Sequence, residues 1–283
     1  MSLSKAIKLD AVLALKNNWM KTIGITFTWG IIVLAFCILD IIINLNFQLN
    51  INILSIFLHP HQLYQLTDIS LSSFIEISKF MLIPFSVYII YYAIFSILYM
   101  GDVLWNYSVI AKKDNDFFDL FYYYSKLKLI LLSWNISIQI FFRKLFWAII
   151  IFLPSVIIGT LSTYLIYTDI SQYKVLMSFG YILCICLAVI SIITCMIFFK
   201  RYSLIRYLMI SGECTKVRNA VKVSTKIMKG KKFNYLIFLL SFLGWILSCV
   251  FIIPIFFVLP YIKMSMNLYA RYLVEDFNIN RNN

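Results

Sequence analysis

Residues 216–274 constrain the fold more than any other part of the chain. They begin with a segment rich in Lys and Arg, and from Phe233 to Ile262 no charged side chain occurs. As a single helix, residues 233–274, roughly forty in number, would be ~60 Å long, twice the ~30 Å hydrocarbon thickness of a bilayer. A segment of this kind predicts a chain that folds inside a membrane.

The basic segment predicts a helix with one cationic face. Its candidate lipid- or partner-facing residues are Arg218, Lys222, Lys226, Lys229, Lys231 and Lys232. The first three recur every fourth residue, so they share one side, and apolar residues fill much of the other, as in a helix at the membrane interface. We interpret this face as a positive-inside signal on an anionic inner leaflet, or as a docking surface for a protein partner such as an ATPase subunit. No aromatic residues interleave for base stacking, so nucleic acid is not an expected partner.

The apolar segment predicts two spans, at about 233–251 and 254–274, because Pro254 and Pro260 can break a helix. The alternative is one long kinked span followed by an exported C-terminal amphipathic helix, which would reduce the total from six spans to five. Lys263 falls well inside the second span, where a Lys costs ~2.5–3.5 kcal/mol on insertion scales. If the hairpin forms, we expect Lys263 to face the interior of the bundle, to have a partner there and to mark an intramembrane polar site.

Four more apolar segments predict spans at about 22–43, 79–100, 145–167 and 175–199. With the C-terminal pair, the prediction is a single all-α polytopic domain over residues 1–283, with interfacial amphipathic helices at 216–229 and before the first span. Six spans predict a multi-pass protein of the cell membrane with both termini in the cytoplasm. The first apolar segment has no small-residue cleavage site after it, so we expect an uncleaved span rather than a signal peptide.

Composition supports a membrane protein. Hydrophobic residues make up 62% of the chain and charged residues only 13%, whereas a soluble domain has about 45–50% and 25%. Residues 200–232 hold ten Lys and Arg against one acid, Glu213, so much of the net charge of +13 lies there. The six Cys residues show no spacing typical of a metal or redox site.

Several strings in the C-terminal half carry a resemblance to a known family. They are Arg201-Tyr202-Ser203 with Tyr207, Ser224-Thr225-Lys226-Ile227-Met228-Lys229-Gly230-Lys231-Lys232, Leu240-Ser241-Phe242-Leu243-Gly244-Trp245, and Pro260-Tyr261 with Tyr269. Residues 200–273 therefore resemble the C-terminal signature of a bacterial integral-membrane family catalogued as Domain of Unknown Function 975. The resemblance implies a multi-span membrane protein and brings no established chemistry with it.

Motifs for catalysis are missing from the sequence. Asp114-Asn115-Asp116 is similar to a metal-binding acid pair, but it is well placed to cap a helix that begins at Phe117. His59-Pro60-His61 offers two metal ligands without a third, which a turn at Pro60 explains equally well. There is no phosphate-binding glycine loop and no Ser–His pair on predicted spans. We expect a protein that is not an enzyme and that needs neither a cofactor nor a metal.

Two functional classes fit these observations. The first is a non-catalytic accessory, scaffold or immunity-like membrane module that binds a partner or lipid, which the large basic face favours. The second is a transporter or permease subunit, which the Pro-broken spans and Lys263 favour.

Overall fold

The computed structural model describes residues 3–46, 71–113, 115–167 and 174–282. Within these ranges the chain is helical and has no strand, which confirms the all-α fold class. In chain order the elements are α1 Leu3–Leu15, α2 Trp19–Asn46, α3 Leu71–Ile110, the 3-10 helix η1 Phe117–Tyr124, α4 Leu127–Tyr167, α5 Lys174–Phe199, the 3-10 helix η2 Lys200–Tyr202, α6 Ile205–Ile210, α7 Val217–Ile227, α8 Lys232–Leu240, α9 Leu243–Ser248 and α10 Ile252–Asn282.

Five segments of the described chain are long and apolar enough to cross a membrane. They are Trp19–Ile43, Ser86–Ile110, Leu127–Ser162, Ile182–Ile210 and Ile253–Asn280, and Lys232–Ser248 is a shorter apolar segment. Large apolar side chains such as Ile149, Ile157 and Ile185 are more than half exposed on the outside of these helices. An apolar surface of this extent is a lipid-facing surface, so the protein is a polytopic helical membrane protein.

Helices α4 and α5 pack against each other through small residues. Ser191 Oγ donates a hydrogen bond of 3.0 Å to the Ile151 carbonyl across the pair. A methyl group on Gly180 would lie only 2.4 Å from Ser162 Oγ, so the helices approach closely at that point. Close approach and interhelical hydrogen bonds are what hold helices together where lipid replaces water.

The predicted helix cap at Asp116 is confirmed. Its carboxylate accepts a hydrogen bond of 2.7 Å from the Phe117 amide, and the Asp119 carboxylate accepts one of 3.0 Å from the Asp116 amide. The capped element is η1 rather than an α-helix. Helix α4 then begins at Leu127 and continues without a break into the third predicted span.

Removing this cap should have a measurable cost. We expect Asp116→Ala to lower the free energy of unfolding in detergent by about 1 kcal/mol, because the Phe117 amide loses its acceptor. The matched control is Asp10→Ala on the exposed side of α1, which should change stability by less than about 0.5 kcal/mol. Equal effects of the two substitutions would show that the cap contributes nothing.

Residues 232–282 form an antiparallel helical hairpin. The chain reverses between Ser248 and Ile252, so the single kinked helix considered as an alternative does not form. Phe238 stacks on Tyr269 with ring centroids 4.6 Å apart, and Phe242 packs edge-on against Tyr261 at 5.5 Å. At ~1.5 Å per residue, the shorter arm, Lys232–Ser248, is about 25 Å long. That this arm crosses the bilayer stays a prediction.

The two prolines do not make this reversal. Pro254 lies in the first turn of α10, where a helix tolerates proline, and Pro260 lies inside the helix. The reversal instead follows the end of α9 at Ser248, before either proline. The two spans were expected because Pro254 and Pro260 can break a helix, but the chain reverses before either proline and both lie within α10.

The core lies where α1, α3, α6, α7, α8 and α10 meet, at one end of the bundle. Trp105 of α3 and Phe242 next to α9 are completely buried there. Helix α1 also joins the core, because Ala11 and Leu15 pack in one cluster with Met264 of α10. Leu9 and Leu13 on the same helix are exposed, so that its position at the membrane interface stays a prediction.

Candidate functional site

Helix α7 carries the predicted basic face, and its apolar side is buried against the protein itself. Val217, Ala220, Val221 and Ile227 all lie in the main core cluster. Ser224 Oγ donates a hydrogen bond of 2.8 Å to the carbonyl of Arg201. The sequence pattern predicts this apolar side at the membrane interface, but α6 and η2 cover it instead. Only the cationic side of α7 is left to meet a lipid or a partner.

The predicted cations divide into two groups. Arg218, Lys222, Lys226 and Lys229 are exposed and make no ion pair with any carboxylate in the described ranges. Lys231 differs, because it forms an ion pair with Asp276 and so connects the two arms of the hairpin. Its role is thus to hold the hairpin closed, although the sequence pattern grouped it with the surface cations.

Part of this surface forms an open groove of about 320 Å³ that is lined by Arg201, Thr225, Lys226, Lys229 and Lys232. Arg201 was not among the predicted site residues. Its guanidinium lies 4.6 Å from the centroid of the Phe198 ring and 5.6 Å from that of Trp147. These cation–π contacts anchor Arg201. A signal was present in the sequence, since Arg201 directly follows Lys200 at the end of an apolar segment.

Gly230 brings the last members of this groove together. Its φ of +79° is in the left-handed region, which ends a helix at low cost only for glycine. The turn at Gly230 allows both Lys229, just after α7, and Lys232, at the start of α8, to line the groove. The Lys-Gly-Lys-Lys sequence therefore has a conformational basis as well as an electrostatic one.

Lys263 has the interior partner that was expected, and that partner is Asp102 of α3. Lys263 Nζ lies 2.7 Å from Asp102 Oδ2, and only 5% of the Asp102 side chain is exposed. The ammonium also lies 4.8 Å from the centroid of the Trp29 ring. Asn106 Nδ2 donates a hydrogen bond of 3.3 Å to Asp102 Oδ1. The four side chains form one polar cluster between α2, α3 and α10.

A cavity of about 490 Å³ adjoins this cluster. Besides Asp102 and Lys263, its charged lining residues are Lys144, Lys200 and Arg206. They come from α4, η2 and α6, so the fold gathers cations that are far apart in the chain. None of these three was a predicted site residue. The separation along the chain between Lys144 and the other two gives no sign that their side chains line one cavity.

The chemistry available elsewhere in the described chain is limited. Burial, with a smaller contribution from the Glu213 charge, raises the pKa of the Cys214 thiol, so little of it is in the thiolate form that attacks substrates or binds metals. The described residues contain no group of three or more His, Cys, Asp or Glu that could hold a metal ion. His59 and His61 lie outside the described residues.

Comparison with protein-family profiles shows the family to which the chain belongs. The profile described as "Protein of unknown function (DUF975)" matches residues 1–276. The chain belongs to the DUF975 family. The match extends far beyond residues 200–273, where the resemblance was recognised. Comparisons with curated proteins and with solved structures found no match.

The DUF975 strings seen in the sequence correspond here to packing positions. Ser224 ties α7 to η2, Gly230 ends the turn that follows α7, and Phe242 is completely buried in the hairpin. Tyr269 stacks on Phe238 of the shorter arm, and Tyr261 packs edge-on against Phe242. In this DUF975 protein the signature thus describes how the C-terminal hairpin and α7 are built.

Proposed function

We propose that this protein is a non-catalytic accessory module of the bacterial cell membrane, and that its outward cationic surface binds anionic lipid headgroups of the inner leaflet. One observation carries the proposal. The apolar side of α7 is packed on the protein, which points Arg218, Lys222, Lys226 and Lys229 outward with no acidic partner in the described chain. A rigidly supported row of cations suits a surface of phosphates.

The same contacts support one orientation of the helical bundle in the membrane. The ion pair between Lys231 and Asp276 places the start and the end of the hairpin on one side. The end of α10 also lies close to α3, since Arg271 Nη1 donates a hydrogen bond of 3.3 Å to the Ile110 carbonyl. By the positive-inside rule, this end of the bundle belongs in the cytoplasm together with both termini.

Charge reversal on α7 tests the lipid contact. Native mass spectrometry of the purified protein counts the anionic phospholipids it retains. We expect Lys222→Glu/Lys226→Glu/Lys229→Glu to reduce this retention at least tenfold, because each cation near an anionic leaflet contributes about 1 kcal/mol. The control, Lys5→Glu/Lys16→Glu/Lys128→Glu, reverses three other exposed lysines and should retain the lipid.

Two outcomes would contradict the proposal. Unchanged lipid retention in the α7 variant would mean that these cations do not bind lipid. Their partner would then be an acidic protein surface. Labelling of a Lys222→Cys variant by an impermeant thiol reagent from outside intact cells would place the surface on the wrong side of the membrane.

A transport function is the second candidate, favoured by the ion pair between Asp102 and Lys263. Ionisable residues at membrane depth are costly, and those that occur usually belong to substrate or ion paths. A pair whose only role is structural has a different signature, because its two residues can be neutralised together without loss of function.

A further inference from the structure

The cavity beside the polar cluster has more positive charge than the protein itself neutralises. Four cations line its volume of about 490 Å³, namely Lys144, Lys200, Arg206 and Lys263. Asp102 is the one carboxylate among the lining residues, and it is already paired with Lys263 at 2.7 Å. The volume lies in the range of small-molecule sites.

The other three cations have no carboxylate partner among the described residues. Lys144 is close enough to Lys200 and Arg206 to be repelled by both. The nearest aromatic contacts are long, at 5.9 Å from Lys144 Nζ to the centroid of the Phe199 ring and 5.9 Å from Lys200 Nζ to that of Tyr235. Like charges gathered in a partly buried site are unfavourable unless an anion joins them.

Arg206 is held in place with donor capacity to spare. Its Nη2 donates a hydrogen bond of 3.2 Å to Ser137 Oγ, and its guanidinium lies 4.4 Å from the centroid of the Tyr99 ring. Its Nε is buried and has no hydrogen-bond partner among the described residues. A fixed guanidinium with an unsatisfied N–H is suited to the oxygens of a phosphate group.

The walls of the cavity and its position favour an amphiphilic ligand. Phe199 ends α5, and Lys200 follows directly. Cations just beyond the end of an apolar span lie at the depth of phospholipid headgroups. Met196, Leu239 and Ile262 add an apolar wall to the cavity. A phosphate attached to an alkyl portion matches both surfaces.

We propose that this cavity binds a phosphate-bearing anion through Lys144, Lys200 and Arg206. The headgroup of an anionic phospholipid and a soluble phosphate ester both present this group, and the apolar wall favours the phospholipid. The site is distinct from the outward surface of α7, which binds the leaflet as a whole, because it encloses a single ligand.

Thermal unfolding in a neutral detergent tests the site with three probes: dihexanoyl phosphatidylglycerol, dihexanoyl phosphatidylcholine and inorganic phosphate. We expect the phosphatidylglycerol to raise the Tm of the wild-type protein in a saturable way, and the zwitterionic lipid to have a much smaller effect. In Lys144→Gln/Lys200→Gln the apparent Kd for the phosphatidylglycerol should rise at least tenfold. The single variant Lys200→Gln, with a smaller rise, replaces the double variant if the latter does not fold.

The control variant is Lys5→Gln/Lys128→Gln, which removes two exposed charges outside both the cavity and the α7 surface and should keep the full Tm shift. If inorganic phosphate produces the same shift and competes with the lipid, the site is confirmed and its ligand is a soluble phosphate ester. Absence of any shift in the wild type, or a full shift in the cavity variant, would overturn the proposal. A full shift in the cavity variant together with loss of the shift in Lys222→Gln/Lys229→Gln would assign the binding to the α7 surface and also overturn it.

Discussion

Replacing Lys263 by Met is expected to lower the free energy of unfolding by about 3 kcal/mol. The change removes the ammonium that lies 2.7 Å from Asp102 Oδ2, while only 5% of the Asp102 side chain is exposed. The hydrogen bond from Asn106 cannot neutralise the carboxylate that remains. Equilibrium unfolding in a mild detergent measures the effect. Because 29% of the Lys263 side chain is exposed, the expected loss is at the low end of the range for breaking a buried ion pair.

The double variant Asp102→Asn/Lys263→Met should recover most of this loss, because neither charge is then left without a partner. An exposed pair supplies the control. Arg271 Nε lies 2.6 Å from Glu275 Oε1 on the surface of α10, and Glu275→Gln should cost no more than about 0.5 kcal/mol. A double variant no more stable than Lys263→Met would refute the account of this pair as a coupled unit.

These variants also separate the two candidate functions. A single Lys263→Leu substitution is ambiguous, since it leaves Asp102 buried and unpaired. The double variant removes that structural effect. If it is stable and the cells that carry it behave as wild type, the pair is structural. If it is stable but the phenotype of a deletion appears, the pair takes part in transport.

Gly101→Ala is expected to have the second large effect, a loss of about 3 kcal/mol in the free energy of unfolding. A Cβ on Gly101 would lie 1.8 Å from the carbonyl oxygen of Leu120, so η1 would have to move away from α3. The obstacle is backbone and cannot rotate out of the way as a side chain could. The higher helix propensity of Ala, about 1 kcal/mol, is too small to compensate.

Gly30→Ala is the matched control for this substitution. Gly30 is also inside a helix, α2, but beyond the backbone of its own helical turns no atom lies within 4 Å of the position its Cβ would occupy. We therefore expect Gly30→Ala to be neutral or to stabilise the protein by up to about 1 kcal/mol. Comparison of the two variants by thermal unfolding isolates the close approach of η1, and equal Tm values would mean that η1 is not packed on α3 in this way.

Local rules account for what was predicted correctly. Uncharged runs predicted the apolar helices, because a backbone in lipid must satisfy its hydrogen bonds within each helix. The cap at Asp116 depends on neighbouring residues alone, and the cationic row from Arg218 to Lys229 depends only on the helical repeat. The strings around Gly230 and Phe242 identified the family from less than a third of the chain.

Contacts between distant segments account for what was missed. Lys263 was recognised as a residue that needs a partner, but Asp102 lies in another helix and nothing in the sequence connects the two. Lys144 and Arg206 looked like ordinary cations near the ends of predicted spans. Their convergence on one cavity depends on how α4, α5 and α6 pack, which local patterns do not encode.

The membrane environment of this protein, its helical class and its family could all be inferred from the amino-acid sequence. The membrane environment and the helical class follow from the transfer of apolar side chains and peptide groups into lipid, which is additive over neighbouring residues. Other features depend on how the helices pack together. Packing covers the apolar side of α7 with protein, pairs Asp102 with Lys263 and brings three further cations to one cavity. Those outcomes depend on distances between helices, because charge interactions and packing act over a few ångströms in space regardless of separation along the chain.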